Sequence, residues 1–381
     1  VMIDRQYRIC KNCVMDTSDS CIDFDENGQC IYCNNFYNII LPKWNKNLKD
    51  EKGLSKIIEK IKKEGEHKDF DCIIGLSGGL DSSYLTYLAK VKFGLRPLLF
   101  HVDAGWNTDR AVGNIEKLVD GLQLDLYTEV INWEEMKDLQ VAFLKSQIPH
   151  QDIPQDTAFF SALYKFARKH KVKYVLTGGN YSTECIREPD EWGVTPGIDK
   201  TLIVDIQSIY GERSLRTFPI IDVFVSKIYY KYFLGMQVFK PLDYITYIKA
   251  DAEVELNKFC GWEKFKHKHH ESRFTRFFED YWLPNKFGFD KRRAHFSSLI
   301  LTNQMTREEA IERIKSSELD DHFLKEEFEY VSHKLGLTVD ELKSIFEGEN
   351  KNVDDYRNNQ LLINFGSKIM QLFGLEKRLY K

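Results

Sequence analysis

From Asp71 onward the chain alternates short apolar runs with longer amphipathic ones, and this alternation restricts the possible folds more than any other feature. "CIIGLS" leads into "LDSSYLTYLAKVKF", "PLLFHVD" precedes "DRAVGNIEKLVDGL", "DLYTEVI" precedes "WEEMKDLQVAFLKSQ", and "TAFFSALYKFARKHK" feeds "KYVLTGG". Near-continuous apolar strands have no face to give to water, and a helical run between each pair supplies the crossover that parallel strands need. The pattern predicts an α/β fold, a parallel sheet covered by helices on both faces. Ahead of it, Leu54, Ile57, Ile58 and Ile61 recur at helical spacing in a Lys/Glu-rich stretch. After Pro219 the reading is mostly helical, and Thr306/Glu309 and Thr338/Glu341 have capping-box spacing. The expected layout is a small cysteine module over 1–47, an α/β domain over 48–262 and a mostly helical region over 263–381.

The first strand ends on Ser77-Gly78-Gly79-Leu80-Asp81-Ser82-Ser83. In an open parallel sheet, ligands sit beyond the carboxyl ends of the strands. Gly78 and Gly79 let backbone amides approach an anion, Ser77, Ser82 and Ser83 add hydroxyls, and the next helix contributes its positive end. These are the parts of a phosphate cradle. A helix cap accounts for one hydroxyl but not for two glycines flanked by three. The Walker A lysine is missing, and so is the G-x-G-x-x-G of dinucleotide folds. Asp81 would repel phosphate unless it binds Mg²⁺ or braces the loop.

Cys10-x₂-Cys13 and Cys30-x₂-Cys33 stand 16 residues apart, a spacing suited to four-thiolate zinc. A closed metal site would hold together a piece too small for its own core. Disulfides suit secreted chains, and neither pair opens a helix after a strand as a redox C-x-x-C does. Cys21 reads as a bystander, and Cys72, Cys185 and Cys260 as buried thiols.

The N-terminus has no basic start followed by an apolar run, so no signal peptide is expected. Ile220–Phe239, the most apolar stretch, is interrupted by Asp222, Lys227 and Lys231; it reads as a core helix, not a membrane span. The expected location is cytoplasmic. A net charge of −4 over 381 residues offers no basic field for nucleic acid. The block Gly261–Ile300 mixes His, Lys, Arg and Glu with aromatics. It suits a pocket for an anionic, ring-shaped ligand as well as it suits a helix pair with a charged face.

Ser77-Gly78-Gly79-Leu80-Asp81-Ser82 resembles the S-G-G-x-D-S signature of PP-loop ATP pyrophosphatases. "FHVDAGW" (Phe100–Trp106) looks like their second-strand segment, "TGGNYSTE" (Thr177–Glu184) their G-H-N segment with Gly179 for His, and "KPLDYI" (Lys240–Ile245) their R-P-L segment. The cysteine pairs, the loop, "HESRFTRFFEDYWLPNKFGFDKRRAHFSSLI" and "MTREEAIERI" follow in the order found in the N-acetyl sugar amidotransferase family. That resemblance covers about Cys10 to Lys315. "FKHKHH" (Phe265–His270) stands where Gly-Gly-Lys-His is expected, which touches on substrate choice.

The family acts in bacterial surface-polysaccharide and nonulosonic-acid pathways and turns a sugar acetamido group into an acetamidino group. The resemblance implies ATP on Ser77–Ser83 with Mg²⁺, and adenosine against Val102, Asp103, Gly178 and Asn180. It also implies structural Zn²⁺ on the four cysteines, and an acetamido oxygen adenylated and then displaced by ammonia. Lys286, Lys291, Arg292 and Arg293 are the candidates to clamp phosphates or a sugar acid. His270, Glu271 and Asp290 are the candidates to move protons. The resemblance implies ammonia from a separate glutaminase of the imidazole-glycerol-phosphate-synthase type, with or without a cyclase-like companion. Two other readings remain: a zinc-ribbon PP-loop tRNA thiolase, and a zinc-ribbon scaffold with a degenerate ATP loop.

Overall fold

A computed structural model describes residues 6–193, 198–266, 268–316 and 321–372. Of the stretches singled out above, the first five residues, His267 and the end of the chain from 373 lie outside these. Five parallel strands, β1 (Cys72–Gly75), β2 (Pro97–Asp103), β3 (Leu126–Val130), β4 (Tyr174–Leu176) and β5 (Gln237–Phe239), lie in the order β3-β2-β1-β4-β5. The two-residue period of a strand divides the apolar side chains between the faces. Ile73, Leu98, Phe100, Val102 and Val175 enter one core; Cys72, Ile74, Leu99, Tyr174 and Leu176 enter the other. This is the α/β fold with helices on both faces that the alternation predicted.

The predicted helices start where their caps dictate. Asp50 accepts from the Gly53 amide ahead of Glu51–Gly65, Thr108 from Ala111 ahead of Asp109–Leu122, and Asn132 from Glu134 and Glu135 ahead of Trp133–Ser146. Both predicted capping boxes are formed, ahead of Arg307–Lys315 and Val339–Phe346. The helix read from Thr157 begins earlier, at Ile153, with Pro154 in its first turn, where the missing amide costs nothing.

Residues 220–239 differ from expectation. They are not one core helix. Val225–Phe233 forms a π-helical turn, and the stretch then enters β5 at the sheet edge. Ile221, Val223, Tyr230 and Met236 are buried, while Phe224, Ile228, Tyr232 and Phe233 are exposed. The segment crosses the edge of the sheet, so one side alone finds core to pack against.

The C-terminal region shares cores with the rest. Phe274, Phe277, Phe278 and Trp282 pack in the same cluster as Phe100 and Val102 of β2. The four cysteines pack with Trp192, Ala294 and Leu301. Among the described residues, no helix is long and apolar enough to cross a membrane.

Candidate functional site

The strand order reverses at β1, with β2 on one side and β4 on the other. That switch point opens a crevice at the carboxyl ends of the strands. The Ser77–Ser83 loop stands there, between β1 and the helix Leu80–Tyr87. Gly78 has φ +82°, and a Cβ on it would strike the carbonyl of Ala111, so glycine meets both demands. Its own carbonyl accepts from Asn114 Nδ2 (3.3 Å) and Trp262 Nε1 (3.2 Å), which fixes the peptide from the protein side. Ser82 Oγ accepts the Ser77 amide, Ser77 Oγ accepts the Gly79 amide, and the two hydroxyls are 3.2 Å apart. The first-turn amides that follow have no intrahelical acceptor, as at any helix start.

Asp81 is braced. Its Oδ1 accepts the Tyr247 hydroxyl at 2.5 Å and its Oδ2 lies 3.4 Å from Lys268 Nζ, which also pairs with Glu184. Burial works against the Lys268 charge, but Glu184 and Asp81 outweigh it and hold the ammonium above its usual range. Gly178 approaches from β4 so closely that a Cβ would lie 2.8 Å from the Asp81 backbone. Beside it, a Cβ on Gly179 would lie 3.1 Å from Lys240 Nζ. The two departures from the superfamily pattern therefore meet in space, with a lysine amine filling room left by a missing side chain.

A strand-like segment from the C-terminal region covers the loop. Arg273 donates its amide to the Trp106 carbonyl (2.8 Å), and Thr108 donates to that of Glu271 (2.9 Å). Ser272 then caps the helix Arg273–Phe277, whose buried Phe274 ring lies 5.1 Å from Trp106. Burying Phe274, Phe277 and Phe278 stabilises this docking by roughly 2 kcal/mol or more each. The docking places the Glu271 carboxylate against Gly79, and burial raises its proton affinity.

Together these elements enclose a cavity of about 750 Å³, reached by Ser77, Val102, Thr177, Lys240, Glu271 and Lys291. A second hollow of about 260 Å³ shares Glu188, Lys240, His269, Glu279 and Lys291 with it and extends to Lys268 and Arg292. Between them runs a charge relay. Lys291 Nζ lies 3.1 Å from Glu279 and 3.5 Å from Glu188, and His269 Nδ1 lies 3.1 Å from Glu279. Burial opposes the charge of Glu279, yet Lys291 and His269 hold its carboxyl well below its usual range. Burial also opposes the His269 charge, but Glu279 raises that imidazole to about 9. His150, Asp152 and Asp156 also line the larger cavity.

The predicted residues separate sharply. Ser77, Val102, Glu271 and Lys291 line the large cavity, and Gly78, Gly79, Asp81 and Ser82 shape the loop. Ser83 is fully buried and does not line it. Asp103 is turned to its own loop, accepting from the Gly105 amide and Asn107. Asn180 caps the turn Tyr181–Glu184 through the Thr183 amide. His270 Nε2 lies 3.0 Å from Asp280, with both side chains largely buried, and neither hollow is lined by His270.

Three cations expected at the ligand make structural contacts, and of these Arg292 also lines the second hollow. Lys286 donates to the carbonyls of Phe346 and Gly348 at 2.6 Å. Arg292 pairs with Asp290 and donates to the carbonyls of Arg313, Ile314 and Ser316, capping the helix Arg307–Lys315. Asp290 is thereby held by Arg292 (2.7 Å) and does not line either hollow. Arg293 pairs with Asp16 of the cysteine module at 3.0 Å.

Sequence reasoning passed over His101, His150, Asp152, Asp156, Glu188 and Lys268. One signal was available: Asp152 and Asp156 have the i,i+4 spacing that puts two carboxylates on one helical face.

Cys10, Cys13, Cys30 and Cys33 are all buried, with their sulfurs within 4.8 Å of one another. The pairs 10–33, 13–30 and 30–33 are 3.9, 3.6 and 3.7 Å apart. A tetrahedral ion with metal–sulfur bonds of about 2.3 Å requires edges of about 3.8 Å. The cluster therefore fits a structural metal ion. Arg307 holds both of the first knuckle's ends through the carbonyls of Cys10 and Cys13.

With this geometry the chain is a parallel α/β protein with an N-terminal four-cysteine cluster and a glycine-bent loop, Ser77–Ser83, at the switch point of its sheet. Residues 271–370 match the family described as LPS biosynthesis protein WbpG-like, C-terminal domain, in agreement with the family the motifs resemble. An uncharacterized protein of Methanocaldococcus jannaschii is 27% identical over 145 residues, 38% of this chain and 50% of that protein; the chain thus spans about half the length of this curated relative. Among solved structures, NMN synthetase from Francisella tularensis is 16% identical with a TM-score of 0.30, covering 75% of this chain and 96% of that one. The NH3-dependent NAD synthetase from Campylobacter jejuni is 18% identical with a TM-score of 0.28, covering 56% and 83%. Likeness at these scores does not bear on function.

Proposed function

We propose that the protein is an ATP-dependent, AMP-forming N-acetyl sugar amidotransferase. The observation that carries this reading is that one cavity is lined both by Ser77 of the S-G-G-x-D-S loop and by Glu271 and Lys291 of the segment matching the WbpG-like domain. Triphosphate lies along Ser77–Ser82, where loop amides and the helix start stabilise charge leaving on pyrophosphate. Asp81 is the loop carboxylate that would hold Mg²⁺, exchanging its Lys268 contact for the ion, which would neutralise phosphate charge. The sugar's acetamido oxygen attacks the α-phosphorus, pyrophosphate leaves, and the carbon now carries AMP as a leaving group. Ammonia adds to that carbon and AMP departs with the former amide oxygen, leaving an acetamidino group.

Lys240, Lys268 and Lys291 are the cations placed to meet phosphate or a sugar acid. The four cysteines hold zinc. Ammonia comes from a separate glutaminase, and the reaction belongs to bacterial surface-polysaccharide or nonulosonic-acid synthesis in the cytoplasm. Sulfur transfer to tRNA is the weaker reading, because no cysteine lines either hollow among the described residues. The test is mass spectrometry of nucleotide-linked diacetamido sugars and nonulosonic acids incubated with ATP, Mg²⁺ and ammonium chloride. The expected product is lighter by the difference between O and NH, with one AMP per product. Release of ADP, or glutamine-dependent turnover by this chain alone, contradicts the proposal.

A further inference from the structure

His101 and Asn107 line the large cavity together with Ser77 and Glu271, and the reaction described above makes no use of either. A chain of hydrogen bonds fixes both side chains. Asp103 Oδ1 accepts from the Gly105 amide at 2.8 Å and from Asn107 Nδ2 at 3.2 Å. A carboxylate accepts and does not donate, so the Asn107 atom that faces it is the amide nitrogen, not the oxygen. The same nitrogen lies 2.9 Å from His101 Nε2, which must then accept. The ring proton therefore sits on His101 Nδ1 and is donated to the carbonyl of Leu76, the residue before the phosphate loop, at 2.8 Å.

Both N–H bonds of the Asn107 amide are spent in this way, and the amide cannot turn over without setting its oxygen against Asp103. Its Oδ1 meets no donor among the described residues, yet it is not one of the unpartnered atoms sealed from solvent. The backbone is held as well, by an antiparallel bridge from Asn107 to Ser272. Ser272 follows Glu271, whose carboxylate lies against Gly79 of the loop. An acceptor fixed from behind in the lining of a ligand cavity is prepared for a donor that arrives with the ligand.

We propose that Asn107 reads an N–H group of the bound ligand through Oδ1, with His101 and Asp103 as the positioning residues that keep oxygen rather than nitrogen available to it. The inference deepens the function proposed above and rests on it. Two planar N–H groups enter the cavity in that reaction, the 6-amino group of adenine and the acetamido N–H of the sugar. A lone acceptor rewards either one, and it disfavours a carbonyl, carboxylate or phosphate oxygen in the same place. Held by its N–H, an acetamido group would have its oxygen turned away from Asn107; held by its amine, adenine would be told from guanine and hypoxanthine, which carry a carbonyl there.

The test is titration calorimetry of the full chain in two arms. The first compares ATP with purine riboside triphosphate, which lacks only the 6-amino group. The second, with a non-hydrolysable ATP analogue bound, compares N-acetylneuraminic acid with its counterpart bearing a hydroxyl in place of the acetamido group. A preference of roughly tenfold for the N–H-bearing ligand is expected in the arm that supplies the donor, and Asn107→Ala is expected to abolish it. His101→Phe, which frees the amide to rotate, is expected to shrink the same preference, and melting curves check that both variants fold. A wild type without preference in either arm, or a preference that Asn107→Ala retains in full, overturns the inference. The nucleotide arm reads binding alone, so its outcome is separable from whether turnover yields an acetamidino sugar.

Discussion

Neighbouring residues in this protein receive unrelated tasks. Lys291 joins the cavity's charge relay, Arg292 caps a helix, and Arg293 ties down the cysteine module. Their charge was legible; their destinations follow from the roughly 100° turn between successive helical residues and from what packs on each side. The two loop glycines differ in the same manner. Gly78 needs a positive φ and has backbone in the way of a Cβ, whereas Gly79 faces the movable end of Glu271. Gly78→Ala is therefore expected to cost about 1–3 kcal/mol and to reduce ATP affinity. Gly79→Ala is expected to cost less in stability, because a flexible side chain can retreat. Chemical denaturation and nucleotide titration of the two variants check this ordering.

Between elements, a few polar contacts join parts far apart in sequence. Glu327, fully buried on the helix Asp321–Leu335, accepts from Arg273 and Arg276 on the helix that follows Glu271. Glu327→Ala leaves two partly exposed guanidinium groups facing each other. A loss of about 3 kcal/mol is expected, at the low end for a broken buried pair because both arginines retain water. The measurement is the urea midpoint, and full recovery in a double variant lacking Arg273 would contradict it. The cysteine cluster works similarly. Because it shares a core with Trp192 and Leu301, Cys30→Ser is expected to lose one zinc per chain by elemental analysis. The same variant should lower the melting temperature of the whole chain and not of a detached module.

At the scale of the molecule, buried groups make stability fall as pH rises above about 6.5. His269 binds its proton more tightly when folded, at about 9 against 6.5. Its contribution is complete below 6.5 and is lost as pH climbs towards 9. Unscreened, that shift corresponds to about 3 kcal/mol; with the ring half exposed to cavity water, about 1 kcal/mol is expected. Asp152 and Asp156, raised to about 6 and 7, act in the same direction at lower pH, because ionising them when folded is harder than when unfolded. Melting temperature should therefore decline from pH 6 to pH 9, and His269→Gln should flatten the upper half of that decline.

What the sequence determined by itself is whatever depends on short range. Strand and helix periods, caps, the glycine bend and the paired cysteines are set by residues within a turn or two of each other, and they stand where the pattern put them. β5 and the exposed side of residues 224–234 were not legible, since edge position is a property of the whole sheet. The same holds for the cavity. Two of its acids come from residues 150–156, its cations from 240, 269 and 291, and its loop from 77–82, brought together by aromatic burial and strand order. Electrostatic environment depends on distances through space, so the tertiary structure alone decided which ionisable groups share a pocket and which became structural.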